Sequence, residues 1–280
     1  MEKRVMTNKK GFSFWKVILY FFAISFAIIT LGPFVWSIIT SFKPASEVGT
    51  FKVNFSTLTL ENYSLIFNEF PFARWAFNSL IVAAIVTIGS IIVNSMAGYA
   101  LARLEFPGKK IMYILVLAMM MVPGQVVLVP TYMLLTKLGW INSYKGLTIP
   151  YIFSLFNIFL MRQFFLSIPR SLEEAALIDG MGRFGIFFKI VLPISKPALS
   201  TQFILTFMGN WNSFLIPSLI ATSDQMYTLP VGLNSFYGQY YQFWNQVLAG
   251  VMILSIPTIL IFLIFQKNFI KGITTSGMKE

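Results

Sequence analysis

The stretch Pro169–Ala198, PRSLEEAALIDGMGRFGIFFKIVLPISKPA, breaks the second half of the chain. It is charged and marked by glycine, and it lies between two apolar runs. Each run is long enough to cross a bilayer as a helix, for which about 20 residues suffice. Within it, Ser171-Leu172-Glu173-Glu174 fits a capping box, with Ser171 at the N-cap and Glu174 at the third helical position. The pattern predicts a short helix over Leu172–Asp179, which Gly180 ends by supplying a left-handed residue. A second amphipathic stretch, Arg183–Val191, leads to Leu192-Pro193. Capping accounts for Ser171 and Glu174. It does not account for the small pair Ala175-Ala176, or for a compact helix set between two spans.

Outward from this stretch the chain is apolar. Hydrophobic residues make up 56% of the 280 and charged residues 11%, against roughly 45–50% and about 25% in soluble domains. So few charges cannot cover a water-soluble globule of this size, and the 30 Phe suit a lipid-facing or helix-packing surface. Six uncharged or nearly uncharged runs follow one another: 17–42, 76–102, 111–136, 146–165, 198–221 and 246–266. Each is predicted to span as a helix. Gly32-Pro33 predicts a kink in the first, and Pro123-Gly124 and Pro130 predict a bend or early stop in the third. The fold class expected is an all-α polytopic membrane protein with six transmembrane helices. Residues 1–16 are expected as an N-terminal tail, 17–266 as one membrane domain containing the loop 169–198, and 267–280 as a C-terminal tail. The first run exceeds the 7–15 residues of a signal-peptide core and no small-x-small site follows it, so it is expected as an uncleaved helix.

The net charge of +11 fits either a nucleic-acid partner or a membrane protein with basic residues on its cytoplasmic side. Position decides. Of the 21 basic residues, five lie in 1–16, three in 103–110, five in 162–197 and three in 267–280, with five in all the remaining loops. The heavy segments fall on one side of a six-span path. Both termini and the 169–198 loop are therefore expected in the cytoplasm, and no nucleic-acid partner is expected.

With no Cys and no His, the chain offers no disulfide, no Cys/His metal centre and no His-based proton transfer. Every Asp, Glu, Lys and Arg is assignable to a loop or a helix end, whereas ion-coupled carriers need an ionisable group within the membrane. The nearest approach to a phosphate-binding loop is Gly108-Lys109, with Arg103 where the first Gly belongs and Lys110 where Ser or Thr belongs. No catalytic residue and no metal site is assigned. A pore-like body without an engine of its own is what remains.

Polar groups nevertheless occur within the runs. Asn94 in the second and Asn210, Trp211 and Asn212 in the fifth either hydrogen-bond between helices or line a hydrophilic path. Amides and an aromatic face suit neutral polyols, so a path of this kind favours an uncharged solute. The last external loop, 222–244, carries Phe236, Tyr237, Tyr240, Tyr241, Phe243 and Trp244. It reads as an aromatic belt at the membrane interface, as a contact surface for an external partner, or as both.

Glu174-Ala175-Ala176, Asp179-Gly180 and Ile190-x-Leu192-Pro193 resemble the cytoplasmic loop signature of permease subunits of bacterial binding-protein-dependent ABC importers. Gly98-Tyr99-Ala100-Leu101-Ala102-Arg103 with Phe106-Pro107-Gly108, then Trp211-Asn212-Ser213-Phe214, Thr228-Leu229-Pro230-Val231-Gly232-Leu233 and Phe269–Thr274, resemble the carbohydrate-uptake branch. The likeness runs from about the first helix to the C-terminus. It implies a type I importer permease fold in the bacterial cytoplasmic membrane. It also implies a second homologous permease, a dimer of cytoplasmic ATPase subunits holding ATP and Mg, an extracellular or periplasmic solute-binding protein, and a sugar or oligosaccharide as cargo. It makes Glu174, Ala175, Ala176, Asp179, Gly180, Ile190, Leu192 and Pro193 the element coupled to the ATPase, and gives Phe236, Tyr237, Tyr240 and Tyr241 a role at the binding protein. A permease for a non-sugar solute is the alternative, and a self-sufficient carrier or channel a more distant one.

Overall fold

A computed structural model describes residues 14–236 and 243–277, whose regular structure is helical with no strand among them. In a bilayer this follows from backbone chemistry, because a helix satisfies its own N–H and C=O groups where water cannot. The chain divides into two compact units, Met1–Ser64 with Phe243–Met252, and Leu65–Gln242 with Ile253–Glu280.

In the first unit, α1 (Phe14–Ser41) is apolar on every side, and Phe21, Phe22, Phe26 and Ile29 are all exposed, as a lipid-facing span requires. The helix continues through Pro33. Beyond it the chain is held by polar groups. Lys43 is fully buried, and its ammonium donates to the carbonyls of Thr50 (2.8 Å) and Lys52 (2.9 Å) while lying 4.3 Å from the Trp36 ring centroid. The amide of Asn62 donates to the carbonyls of Ser41 and Lys43 and accepts from Asn245 at 2.6 Å. From sequence this stretch is expected as an external loop at the membrane surface, with no function assigned; buried donors with carbonyl partners give it a fixed structure.

The second unit is built around α3 (Phe72–Arg103), which packs along α6 (Tyr144–Ile152), α7 (Leu155–Ser167) and α11 (Lys196–Trp211). Close approach to α7 requires Gly98. A Cβ there would stand 2.9 Å from Met161 Cβ and 3.1 Å from the Ile158 carbonyl. About one turn away, Asn94 is fully buried and spans the break between α6 and α7. Its amide nitrogen donates to Ser90 Oγ (2.6 Å) and the Ile152 carbonyl (2.9 Å), and its oxygen accepts from Ser154 N–H (3.0 Å). Asn157 joins Ser90 and Thr206 to the same network, and Gln202 donates to the Ser90 carbonyl. These bonds satisfy the backbone groups that a broken helix leaves open.

The expected spans are reproduced unevenly. Among the described residues four helices are long and apolar enough to cross: Trp15–Ser41, Phe72–Arg103, Tyr144–Ser167 and Trp244–Gln266. A bent pair, Arg183–Ile194 with Lys196–Trp211 at 80°, makes up to five. The third apolar run is two helices, α4 (Lys109–Met120) and α5 (Leu128–Lys137), parted around Pro123-Gly124. The fifth stops at Trp211, where Asn212-Ser213 breaks the chain before a short helix over Leu215–Ile220. A further short helix covers Leu229–Asn234, and the last long one covers Trp244–Gly277.

Candidate functional site

Between α7 and α11 stand α8 (Ser171–Ile178), α9 (Arg183–Ile186), a π-helical turn over Phe187–Val191 and a short turn over Leu192–Ile194. The helix expected at Leu172–Asp179 is present one residue earlier, but it does not start by the expected capping box. Arg170 is already in the right-handed helical region (φ −66°, ψ −27°), so Ser171 falls inside the first turn and no side chain caps the end. The N–H groups of Glu173 and Glu174 bond to the Arg170 carbonyl instead. The stop is as expected. Gly180 takes φ +80°, its N–H bonds to Leu177 O (3.0 Å), and Met181 N–H reaches back to Ala176 O (2.9 Å), the paired bonds of a Schellman end.

Helix phase sorts the eight residues of α8 into two faces. Glu173 and Ala176, three apart, point inward and are buried. Ala176 joins a core of Tyr99, Met161, Phe165, Ile186, Phe187 and Val191, with Ile190 and Leu192 packed at its edge. Glu174, Ala175, Asp179 and Gly180 face outward, as does Pro193. Beside them Leu172, Leu177, Ile178 (86% exposed) and Phe184 (71% exposed) form an apolar surface that residue-level reading of the sequence did not single out. Of the expected docking set, Glu174, Ala175 and Ala176 therefore lie on α8 and Asp179 and Gly180 at its stop, with Ala176 turned away from the outer face, whereas Ile190, Leu192 and Pro193 lie on the turns beyond α9.

Beneath that face lies a buried polar triad. Arg103 Nε meets Glu173 Oε1 at 2.9 Å, and the two side chains are 4% and 6% exposed. The Tyr99 hydroxyl donates to Glu173 Oε2 at 2.9 Å, and Arg103 Nη2 donates to the carbonyl of Ile168. Tyr99 and Arg103 are four apart on α3, so both reach the same carboxylate. Arg103, counted from sequence among the basic residues of the segment 103–110, is inside. The signal that would have found Glu173 is its three-residue spacing from Ala176, which puts both on one helix face.

The other expected residues are spread over the second unit. Asn94 is in the α6–α7 break described above. Trp211 is buried, stacks on Phe207 (6.0 Å between centroids) and donates its indole N–H to the Leu254 carbonyl at 2.8 Å. Asn210 and Asn212 donate to carbonyls four residues back, Thr206 and Met208. Asn212 is exposed, on the same face as the exposed Leu205 and Gly209. Phe236 is buried 4.4 Å from the Phe70 ring and 6.0 Å from Trp75, while Tyr237, Tyr240 and Tyr241 lie outside the described residues. Among the described residues no group of Asp or Glu is placed to hold a metal ion.

Residues 94–275 match the family model described as the inner membrane component of binding-protein-dependent transport systems. The chain is 37% identical over 280 residues to the arabinooligosaccharides transport system permease protein AraQ of Bacillus subtilis, covering 98% of this chain and 100% of that one. It is 34% identical over 270 residues to the trehalose/maltose transport system permease protein MalG of Thermococcus litoralis, covering 94% and 97%. A chain from the crystal structure of a bacterial ABC transporter that imports the acidic polysaccharide alginate superposes with a TM-score of 0.82 at 22% identity, over 91% of this chain and 96% of that one. That likeness is one of fold.

Proposed function

Because this chain belongs to the family of inner membrane components of binding-protein-dependent transport systems, we propose that it moves a sugar or oligosaccharide through the cytoplasmic membrane, driven by a separate ATPase. The oligosaccharide and disaccharide transport named for the two full-length relatives supports this cargo class. The transporter pairs this chain with a second permease, two ATPase subunits that hold ATP and Mg, and an external solute-binding protein. Six spans cross the membrane within residues 17–266, with the α4–α5 pair counted as one broken span and α11 with the helix after it as another. Residues 1–16, the loop 169–198 and residues 267–280 face the cytoplasm, in accord with the crowding of basic residues in these segments.

The outer face of α8 carries this reading. An exposed apolar patch formed by Leu172, Ala175, Ile178 and Phe184 between polar Glu174 and Asp179 is the surface of a helix that docks. Small Ala175 admits close approach, and Glu174 is free to pair with a basic group of the ATPase. Ala176, Ile190 and Leu192 hold the helix from behind. Binding of ATP draws the ATPase subunits together, moves α8, and switches the path between its two openings. On the path side, the exposed Gly209–Asn212 edge of α11 meets the solute, with Trp211 fixing its position. Tyr237, Tyr240 and Tyr241 contact the binding protein, and Phe236 pins that loop from inside.

Glu174→Lys and Gly180→Trp test the docking. A Cβ at Gly180 meets nothing within 4 Å, but its φ of +80° disfavours any side chain. Both variants are expected to insert in the membrane and to lose co-purifying ATPase and uptake. ATPase retention with undiminished uptake in both would refute the assignment. Cargo is tested separately, by identifying the solute that leaves the co-purified binding protein on denaturation.

A further inference from the structure

We propose that Tyr99, Arg103 and Glu173 are positioning residues that transmit the displacement of α8 to α3, a role that rests on α8 being the ATPase-docking helix. The backbone of α8 comes near α3 along little of its length. What bridges them is one carboxylate with both oxygens taken, Oε1 by Arg103 and Oε2 by Tyr99, each at 2.9 Å. Arg103 also holds the carbonyl of Ile168, just before α8, so the start of the docking segment is gripped at two points. Arg103 and Glu173 attract as a close ion pair, and the two directional bonds, from the Tyr99 hydroxyl to the carboxylate and from Arg103 Nη2 to the Ile168 carbonyl, each include a charged group and resist sliding and rotation more than apolar contact does. A buried ion pair contributes little to stability compared with apolar residues of similar volume, because desolvation offsets its attraction. The surrounding core of Phe165, Ile186, Phe187 and Val191 already packs the helix. A directional tie between a moving element and the central helix is the use such a triad serves here.

The far end of α3 supplies the readout. Ala73 is exposed in its first turn, 26 residues before Tyr99, which is about 39 Å along a helix. The chain has no native cysteine, so single cysteines report cleanly. Ala73→Cys and Ala175→Cys would be made separately in the complete transporter, and their maleimide labelling rates compared with and without trapping by ATP and vanadate. Trapping is expected to change both rates in the otherwise unmodified chain. With Tyr99→Phe, which keeps the ion pair and the ring packing, the Ala175 response should persist while the Ala73 response falls about fivefold, the low end of ordinary coupling energies between sites. The paired replacement Arg103→Met with Glu173→Leu, which leaves no uncompensated charge, should abolish the Ala73 response and keep the Ala175 response. An undiminished Ala73 response in Tyr99→Phe overturns the proposal, as does a silent Ala73 in the unmodified chain. If Ala175 itself fails to respond in the unmodified chain, it is the docking assignment that falls, and the triad proposal falls with it.

Discussion

At the scale of single residues, two glycines divide the requirements of the fold. Gly180 supplies a backbone conformation and Gly98 supplies room, since any Cβ at Gly98 would press on Met161 and the Ile158 carbonyl of α7. Gly98→Leu is expected to destabilise the protein by about 1–3 kcal/mol through overpacking, read as a lowered unfolding midpoint in detergent. The end of α8 was legible because a positive-φ stop needs little besides a glycine in the right place. Its beginning was not. Ser171 and Glu174 have the right letters for a capping box, but the helical turn already includes Arg170, so the box has no vacant cap to fill. Glu173 was passed over beside Glu174 for a related reason. Adjacent carboxylates differ by about 100° in direction on a helix, and only the inward packing of Ala176 sets which of them is buried.

At the scale of the element, α8 has an inner face packed within this chain and an exposed outer face that the proposed function gives to a partner. Two neighbouring substitutions separate these. Ala176→Trp forces a large ring into the core around Tyr99 and Phe187, and should cost about 1–3 kcal/mol of stability, visible as a lowered unfolding midpoint. Ala175→Trp, on the exposed side, should leave that midpoint unchanged and remove ATPase from the purified membrane complex. Helix existence was readable from apolar runs, while helix continuity was read less well. Pro123-Gly124 announced the break in the third run through its chemistry. The end of the fifth at Trp211 depends on Asn212-Ser213, polar residues that are equally at home inside a membrane helix if partnered. The division of the fourth run into α6 and α7 rests on Asn94, which lies about 60 residues away and repairs the break with two bonds.

At the scale of the whole molecule, the account requires alternation of loops across the membrane. A cysteine at Glu174 is expected to react with an impermeant maleimide only in inside-out vesicles, and one at Asp224 only in right-side-out vesicles. Reaction of both from one side would contradict the six-span path. Composition sufficed to identify a polytopic membrane protein, because solvent partition needs no tertiary structure, and the orientation expected from the charge distribution is what this labelling tests. The buried Lys43 and the Tyr99–Arg103–Glu173 triad were invisible for the opposite reason. Each is a charge whose burial is tolerated only through partners that sequence order does not bring together.

The docking of α8 is the claim on which the rest turns, and cross-linking tests it at the shortest range. A benzophenone attached through Ser171→Cys, exposed at the start of α8 and beside the docking face, in the assembled transporter in native membranes, should on illumination form a covalent adduct with the ATPase subunit, and the same probe at Ala73→Cys should form none. Adducts with lipid alone from position 171, or ATPase adducts from both positions equally, would contradict the account.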